Sequence, residues 1–367
     1  MAEEQKKANK QKKKKQGFFG PRKRITLVQR LFFVQQLEIM VRTGFSLAKA
    51  LETINLQVEH EGFRKTIQEM REDVEKGTPL SKAAGKHPKT FSETFVSMLE
   101  AGEASGKLDE VLRRLSIQLK KSHELRAKVK NALTYPAIVT IAMVAIGIAM
   151  VIFVLPNITS LYTDAQADLP LPTRVLIGLT DFMSTYLIYV IIAVALVIFL
   201  LARYLKTVKG KRQYHALLLK IPIVSPIIKK VNLANFTRSL SSLLKTDIPI
   251  VETFLIISRA SKNVIYKDYL KQSAEELKKG ISVRETLEKN PDLFPPLITQ
   301  IINIGEESGT LDTTSEDMAN FYEEEVSNTM ENLAAVIEPV LMLVIGVAVG
   351  AVALAVIMPI YSLVGQI

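Results

Sequence analysis

The sequence predicts an all-α membrane protein with two homologous cytoplasmic helical-bundle domains and three transmembrane helices. Three observations support this prediction: long uncharged apolar segments, helical spacing of apolar residues between them, and an internal repeat with a period of 203 residues. The composition agrees, because 48% of the 367 residues are hydrophobic and the mean hydropathy is +0.19, which is too apolar for a purely water-soluble chain of this length.

Three apolar segments are long enough to cross a bilayer. No residue from Ala137 to Leu155 is charged, and as a helix these 19 residues extend roughly 28 Å, about the thickness of a hydrocarbon core. Similar uncharged runs extend from Phe182 to Ala202 and from Pro339 to Ile367. We therefore expect transmembrane helices at 135–158, 174–204 and 337–362.

The positive charges predict the orientation of these helices. Eleven Lys or Arg lie within residues 1–30 and five follow the second span directly, whereas the loop 159–173 has only two charged residues, both Asp. By the positive-inside rule the N-terminus is cytoplasmic, and the loop 159–173 and the C-terminal tail 363–367 are extracytoplasmic. Residues 1–24 are expected to form a basic disordered tail that contacts anionic lipid.

The two aqueous segments, 25–134 and 205–336, are predicted to be helical domains. Neither shows sustained strand alternation, and in the first the apolar residues recur every three or four positions. These residues are Leu31, Val34, Leu37, Val41, Leu47, Leu51 and Ile54, with a break at Gly44.

Helix boundaries are also visible in the sequence. Gly77 suits a left-handed helix end, Thr78 an N-cap and Pro79 a first helical position. At the matching place in the second segment, Ser282 and Glu285 have the spacing of a capping box.

The two halves of the chain are copies of each other. A shift of 203 residues without a gap aligns Phe33 with Phe236, Pro88 with Pro291, and GEASGKLD at 102–109 with GEESGTLD at 305–312. It also aligns Pro136 with Pro339, the prolines at the start of the first and third spans. The repeated unit is therefore a helical domain with its following span, and the second span is a connector that returns the chain to the cytoplasm.

The chain resembles the GspF/PilC family in three features. It has a duplicated helical domain with the motif G-E-x-S-G-x-L-D, a proline at the start of the span after each domain, and three spans in this order. This family comprises the inner-membrane platform proteins of type II secretion and type IV pilus machines, and the resemblance covers roughly 27–362. It implies a platform that binds a cytoplasmic hexameric assembly ATPase, pilins or pseudopilins, and other inner-membrane assembly proteins, that forms a homo-oligomer (a dimer or larger), and that does not contact nucleic acid directly. The run Lys12–Lys15 could also bind an acidic face of that ATPase.

The residues suggest no enzyme site. The chain lacks cysteine and a G-x-x-x-x-G-K-[ST] phosphate loop, and its four histidines are scattered. We therefore expect no catalytic, cofactor-binding or metal-ligating residues. A small membrane transporter component is the alternative function, although the first and third spans place no charged residue at mid-membrane, where transporters usually concentrate such groups.

The repeated motif is predicted to be a tight joint between two helices. Its members are Gly102, Glu103, Ser105, Gly106, Leu108 and Asp109 in the first copy and Gly305, Glu306, Ser308, Gly309, Leu311 and Asp312 in the second. The glycines would allow unusual backbone angles, the serine would be an N-cap, the leucine would be the first core anchor, and the aspartate would favour the helix N-terminus.

The glutamate of the motif is the least explained member. Capping of exposed N–H groups is the favoured role, with contact to a partner and ligation of a metal ion as alternatives. If capping dominates, Glu103→Gln should cost little, whereas Gly106→Val should destabilise the joint by about 1 kcal/mol or more.

Overall fold

The computed structural model describes residues 25–150, 153, 178, 186, 189 and 192–364. Within these residues every regular element is helical, as predicted. The predicted tail 1–24, the loop 159–173, residues 365–367 and much of the predicted span 174–204 lie outside the described residues.

Six helices form the first repeat: α1 (Leu27–Arg42), α2 (Leu47–Gln57), α3 (Glu61–Glu75), α4 (Leu80–Gly85), α5 (Glu93–Ser105) and α6 (Leu108–Ala149). Local side chains determine where several of them begin. Thr26 Oγ1 accepts a hydrogen bond from Gln29 N (3.2 Å) while Gln29 Oε1 accepts one from Thr26 N (2.8 Å), which is a complete capping box for α1. Ser46 and Ser92 cap α2 and α5 in the simpler way, through one side-chain acceptor each.

The second repeat follows two connecting helices. The connectors are α7 (Ile192–Tyr204) and α8 (Val208–Leu218), and the repeat comprises α9 (Val224–Leu244), α10 (Ile250–Ala260), α11 (Val264–Leu277), α12 (Val283–Glu288), α13 (Pro296–Ser308) and α14 (Leu311–Val364). Helices α10 to α14 each begin 203 residues after their counterparts α2 to α6. The sequence repeat is therefore a repeat of structure.

Residues in the left-handed backbone region close corresponding helices. Gly77 and Gly280 follow α3 and α11 with φ of +84° and +82°, and Gly44 follows α1 with φ of +86°. The counterpart of Gly44 is Asp247, which adopts φ of 58°. Aspartate is one of the few side chains that tolerate this region, so the second copy keeps the turn without a glycine.

One predicted helix start is wrong and its counterpart is right. Helix α4 begins at Leu80, so Pro79 is the N-cap rather than the first helical residue, and Thr78 does not cap it. Pro79 supplies no side-chain hydrogen bond, so the acceptor for this helix end comes from elsewhere in the fold. In the second copy Ser282 caps α12 as expected, because its Oγ accepts from Glu285 N at 3.1 Å.

The chain divides into two compact units. The first unit contains the described residues up to His123 with Ser239–Ala260 and Ala274–Gly280, and the remaining described residues form the second. In the first unit the rings of Phe33 and Phe63 pack edge-on with centroids 5.6 Å apart. In the second, Phe236 and Tyr266, their counterparts, pack edge-on against Phe294 at 5.1 and 5.7 Å. Each unit thus has its own buried aromatic centre.

Two helices are long and apolar enough to cross a membrane among the residues that the structure describes. They are α6 and the Leu311–Val347 part of α14. Both continue through the boundaries predicted at 134/135 and 336/337, with Pro136 and Pro339 inside the helices. Within the second predicted span, 174–204, the structure describes one continuous segment, which is the shorter apolar helix α7.

Candidate functional site

The repeated motif forms a corner between two helices in each copy. We call residues 102–109 and 305–312 the motif corners. In the first, Gly106 adopts φ of +68°, Lys107 N donates to Gly102 O at 2.9 Å, and Gly106 N donates to Glu103 O at 3.3 Å. This pair of hydrogen bonds is a Schellman motif, which satisfies the last carbonyls of α5. The second corner repeats it, with Gly309 at φ +71° and Thr310 N donating to Gly305 O at 2.9 Å.

The first glycine of each corner permits a close crossing of two helices. Gly102 lies buried within α5, and a Cβ added there would lie 2.8 Å from Val111 Cγ2 of α6. The equivalent Cβ on Gly305 would lie 2.0 Å from Thr314 Oγ1 and 3.0 Å from Leu311 Cα. The predicted role of Gly102 is therefore corrected: this glycine is helical, and the space beside it rather than its backbone angle requires the missing side chain.

The glutamate of each corner accepts hydrogen bonds from the N-terminus of a neighbouring helix. Glu103 lies in the last turn of α5, and its two carboxylate oxygens accept hydrogen bonds from Leu80 N (2.5 Å) and Ser81 N (3.1 Å) in the first turn of α4. The Ser81 hydroxyl also donates to Glu103, at 2.5 Å. Glu306 repeats the contact, accepting from Val283 N at 2.9 Å and Arg284 N at 3.2 Å.

This contact explains why α4 needs no local cap. A helix N-terminus exposes N–H groups without intrahelical partners and carries a partial positive charge. A carboxylate there is therefore favourable both as a hydrogen-bond acceptor and as a negative charge. Glu103 thus has the capping role that the sequence favours. However, the N–H groups that it caps lie 23 and 22 residues before it, in α4, instead of beside the motif. Each corner therefore fastens the short helix α4 or α12 to the helix that carries the motif.

The serine and leucine of the motif do not have the predicted roles. Ser105 is the last residue of α5, and its hydroxyl donates to Ala101 O at 2.8 Å, so it is not the N-cap of α6. Ser308 likewise donates to Ile304 O, at 2.6 Å. Leu108 is only half-buried, whereas Val111, Leu112 and Leu115 supply the core contacts at the start of α6.

The aspartates lie where the sequence places them. Asp109 is in the first turn of α6 and Asp312 in the first turn of α14. Both carboxylates are thus near helix N-termini, where negative charge is favourable.

An open groove of about 580 Å³ adjoins the second corner. It is lined by Ser282, Arg284, Glu285, Glu288, Asn303, Glu306 and Glu307. Three of its carboxylates have hydrogen-bond partners: Glu306 accepts from the N-terminus of α12, Arg284 Nε donates to Glu288 at 2.8 Å, and Asn303 Nδ2 donates to Glu307 at 2.8 Å. Among the described residues no cluster of three or more His, Cys, Asp or Glu is arranged to hold a metal ion.

Sequence reasoning missed a buried ion pair in the second repeat. The Nε and Nη2 atoms of Arg238 in α9 donate to the two carboxylate oxygens of Glu323 in α14, both at 2.9 Å, and Nη2 also donates to Asn320 at 2.6 Å. The Arg238 side chain is 7% exposed. The first repeat has Gln35 and Lys120 at these positions, so both residues differ between the copies, and this joint change is the sequence signal of the pair.

A histidine outside the motif caps another helix. His215 in α8 accepts a hydrogen bond through Nδ1 from Val264 N, the first residue of α11, at 3.0 Å. Burial lowers the pKa of this imidazole below its ordinary value, and the nearby Lys211 lowers it further. The neutral form that the cap requires is thereby favoured.

The fold and its corners define a class of protein: a tandem-repeat helical scaffold in which each copy ends in a long helix with an apolar C-terminal part. A family model described as type II secretion system (T2SS), protein F matches the chain twice, at residues 33–156 and 236–359. The two matches are offset by the same 203 residues as the structural repeat. The chain belongs to this family, which confirms the resemblance drawn from the motif.

Relatives from several bacteria carry names of both branches of the family. The chain is 33% identical to type IV pilus assembly protein PilC of Thermus thermophilus, over 91% of this chain and 82% of that protein. It is 30% identical to PilC of Pseudomonas aeruginosa, over 96% of this chain and 94% of the relative. It is 28% identical to type II secretion system protein F of Vibrio cholerae, over 90% and 81% of the two chains.

Proposed function

We propose that this chain is the platform protein of a type IV pilus or type II secretion assembly machine in the cytoplasmic membrane. The observation that supports this most strongly is the double family match, which covers both structural repeats in register. The names of the relatives described above refer to pilus assembly or secretion, and nothing comparable supports the transporter alternative.

The proposed platform has cytoplasmic domains at about 25–134 and 205–336 and three membrane spans. Two apolar helices of sufficient length support the first and third spans. The Lys- and Arg-rich segments support a cytoplasmic N-terminus and an extracytoplasmic C-terminus.

The proposed partners follow from this arrangement. A hexameric assembly ATPase binds the cytoplasmic domains and supplies the energy, because the sequence has no phosphate-binding loop of its own. Pilins or pseudopilins and other inner-membrane assembly proteins contact the spans, and the platform associates with further copies of itself.

Capture of the ATPase tests this function. The full chain in lipid nanodiscs is immobilised and incubated with the assembly ATPase of the same organism, and bound protein and ATP turnover are measured together. We expect capture of the ATPase, and ATP hydrolysis only when the ATPase is present.

An ATPase variant with its phosphate-loop lysine replaced is the control for contaminating hydrolysis. A strain without the platform gene should lose its filaments or its secretion and regain them with the wild-type gene. Hydrolysis by the platform alone, or normal assembly in the deletion strain, would refute the proposal.

A further inference from the structure

A helix of the second repeat packs against a helix of the first repeat inside the first compact unit. The two helices are α10 and α5, and we call their packing the inner contact. Arg259 Nε of α10 lies 2.7 Å from Glu93 Oε1 of α5, and Arg259 Nη2 also donates to Glu252 at 2.9 Å. The inner contact is thus a contact between non-equivalent faces of two homologous domains.

The counterparts of these two helices are more exposed. Shifted by one repeat, α10 corresponds to α2 and α5 corresponds to α13. Ile256 and Ser258 of α10 are both 1% exposed, whereas their counterparts Thr53 and Asn55 are half-buried.

The same difference separates α5 from α13. Thr94 of α5 is 5% exposed, but its counterpart Leu297 is 46% exposed. Ala101 is half-buried, while its counterpart Ile304 is 56% exposed. Large apolar side chains at these positions of α13 are therefore in contact with solvent, which is unfavourable unless another surface covers them.

The residue types on the two exposed faces changed together. In the inner contact Arg259 faces Glu93, and the residues at the corresponding positions are Leu56 and Pro296. Leu56 is 81% exposed, and Pro296 is followed directly by Leu297. The charged pair of the inner contact is therefore replaced by two apolar residues, one on the exposed face of α2 and one on the exposed face of α13. Two apolar faces are complementary to each other.

We propose that α2 of one chain docks on α13 of a second copy, in the manner in which α10 docks on α5 within one chain. Leu56, Leu297 and Ile304 form the apolar centre of this outer contact. The contact joins different faces of identical chains, so it is heterologous and links copies head to tail. The inference rests on the self-association in the proposed function and assigns a surface to it.

Site-specific crosslinking tests the outer contact without background, because the chain contains no cysteine. Leu56→Cys and Leu297→Cys are introduced into separate full-length copies with different tags, and the copies are expressed in the same cells. A short bismaleimide is then added to the membranes. We expect a crosslinked product that carries both tags, and no crosslinked dimer when either variant is expressed alone.

Ile39→Cys paired with Leu297→Cys is the matched control. Ile39 is an exposed apolar residue of the first repeat at 43%, but it lies on α1 and outside the proposed contact. A product from Leu56→Cys alone would indicate a symmetric contact and overturn the proposal. Absence of the mixed product, or an equal yield from the Ile39 control, would also overturn it.

A transplanted ion pair gives a second test. Leu56→Arg or Pro296→Glu alone should reduce co-purification of differently tagged copies several-fold, because each puts one unpaired charge into the apolar contact. The combined variant should restore co-purification, since it recreates the Arg259–Glu93 pair of the inner contact. Loss without recovery in the combined variant, or no loss in the single variants, would count against the outer contact.

These tests separate the contact from the proposed function. Copies that crosslink at Leu56 and Leu297 but do not capture the ATPase would contradict the function alone. Copies that capture the ATPase without this crosslink would contradict the contact alone.

Discussion

Glu103 and Glu306 have the same position but different sets of donors. Both accept two backbone N–H groups, and Glu103 also accepts the hydroxyl of Ser81, whereas the second copy has Arg284 at the serine position. Both oxygens of Glu103 act as acceptors, so a side-chain amide cannot replace the carboxylate without bringing its NH₂ group against a donor.

The structure therefore predicts a larger effect of Glu103→Gln than the motif suggests. We expect a loss of about 1–2 kcal/mol in the free energy of unfolding, through one mismatched, part-buried hydrogen bond and weaker interaction with the N-terminus of α4. Thermal unfolding of the full chain in detergent measures this.

Glu100→Gln is the matched control for this substitution. Glu100 lies on the same helix, is exposed, and should tolerate the change. Equal melting temperatures of the two variants would contradict the capping role.

For single residues, the sequence predicts their positions in the helices better than their roles. The glycines that close α3 and α11 are recognisable because glycine favours the left-handed region, but Asp247 gives no such signal and becomes evident only by alignment with Gly44. Ser105 suits either end of a helix by its chemistry. Its actual role depends on where α5 ends, and α5 ends at Ser105 because Gly106 adopts the left-handed conformation that closes the helix.

The junction between α8 and α11 should depend on pH, because His215 of α8 caps α11. The pKa of His215 is lowered in the folded protein, so between that lowered value and the ordinary value of 6.5 the unfolded chain binds more protons than the folded one. Stability from this group is therefore present above pH 6.5 and is lost as the pH falls below it. Protonation also removes the acceptor for Val264 N at the start of α11.

We expect the melting temperature of the wild-type chain to fall more steeply from pH 7.5 to 5 than that of His215→Gln. Other groups titrate in both proteins, so the difference between the two curves isolates this histidine. Parallel curves would show that His215 does not couple proton uptake to the junction of α8 and α11.

The sequence predicts helical repeats well and the ends of individual helices poorly. Of the residues proposed as N-caps, Ser282 caps a helix whereas Thr78 and Ser105 do not, although the 203-residue shift transfers helix starts from one copy to the other. The predicted boundaries between domain and span, at 134/135 and 336/337, mark where the residues along the chain change from polar to apolar. A helix backbone can continue through such a change, and α6 and α14 do so.

For the whole molecule, the proposed topology predicts which positions are accessible from outside the cell. A thiol reagent would reach cysteines poorly at buried positions of the two helical domains such as Ser81 and Ser273, which are 3% and 1% exposed. The side chains of Lys65 and Lys278 are 75% and 47% exposed and lie one in each repeat. Single Cys variants at these lysines should react with a membrane-impermeant thiol reagent only after spheroplasts are lysed.

Ala167→Cys and Gln366→Cys are the complementary variants. Both positions are predicted to be extracytoplasmic, so both should react in intact spheroplasts. Reaction of Lys278→Cys before lysis would place the second domain on the other side of the membrane and exclude the arrangement proposed above.

The uninterrupted helix α14 fixes an angle as well as a distance. Each residue of an α-helix turns the next by about 100°, so the number of residues between the second motif corner and the apolar part of α14 sets the direction in which its apolar face points. One inserted residue would rotate that face by about 100°, whereas seven or eleven would leave it within roughly 20° of its original direction. Length changes in this stretch therefore keep the same neighbours around the apolar face only in such steps, although the stretch itself makes no turn that would reveal this constraint.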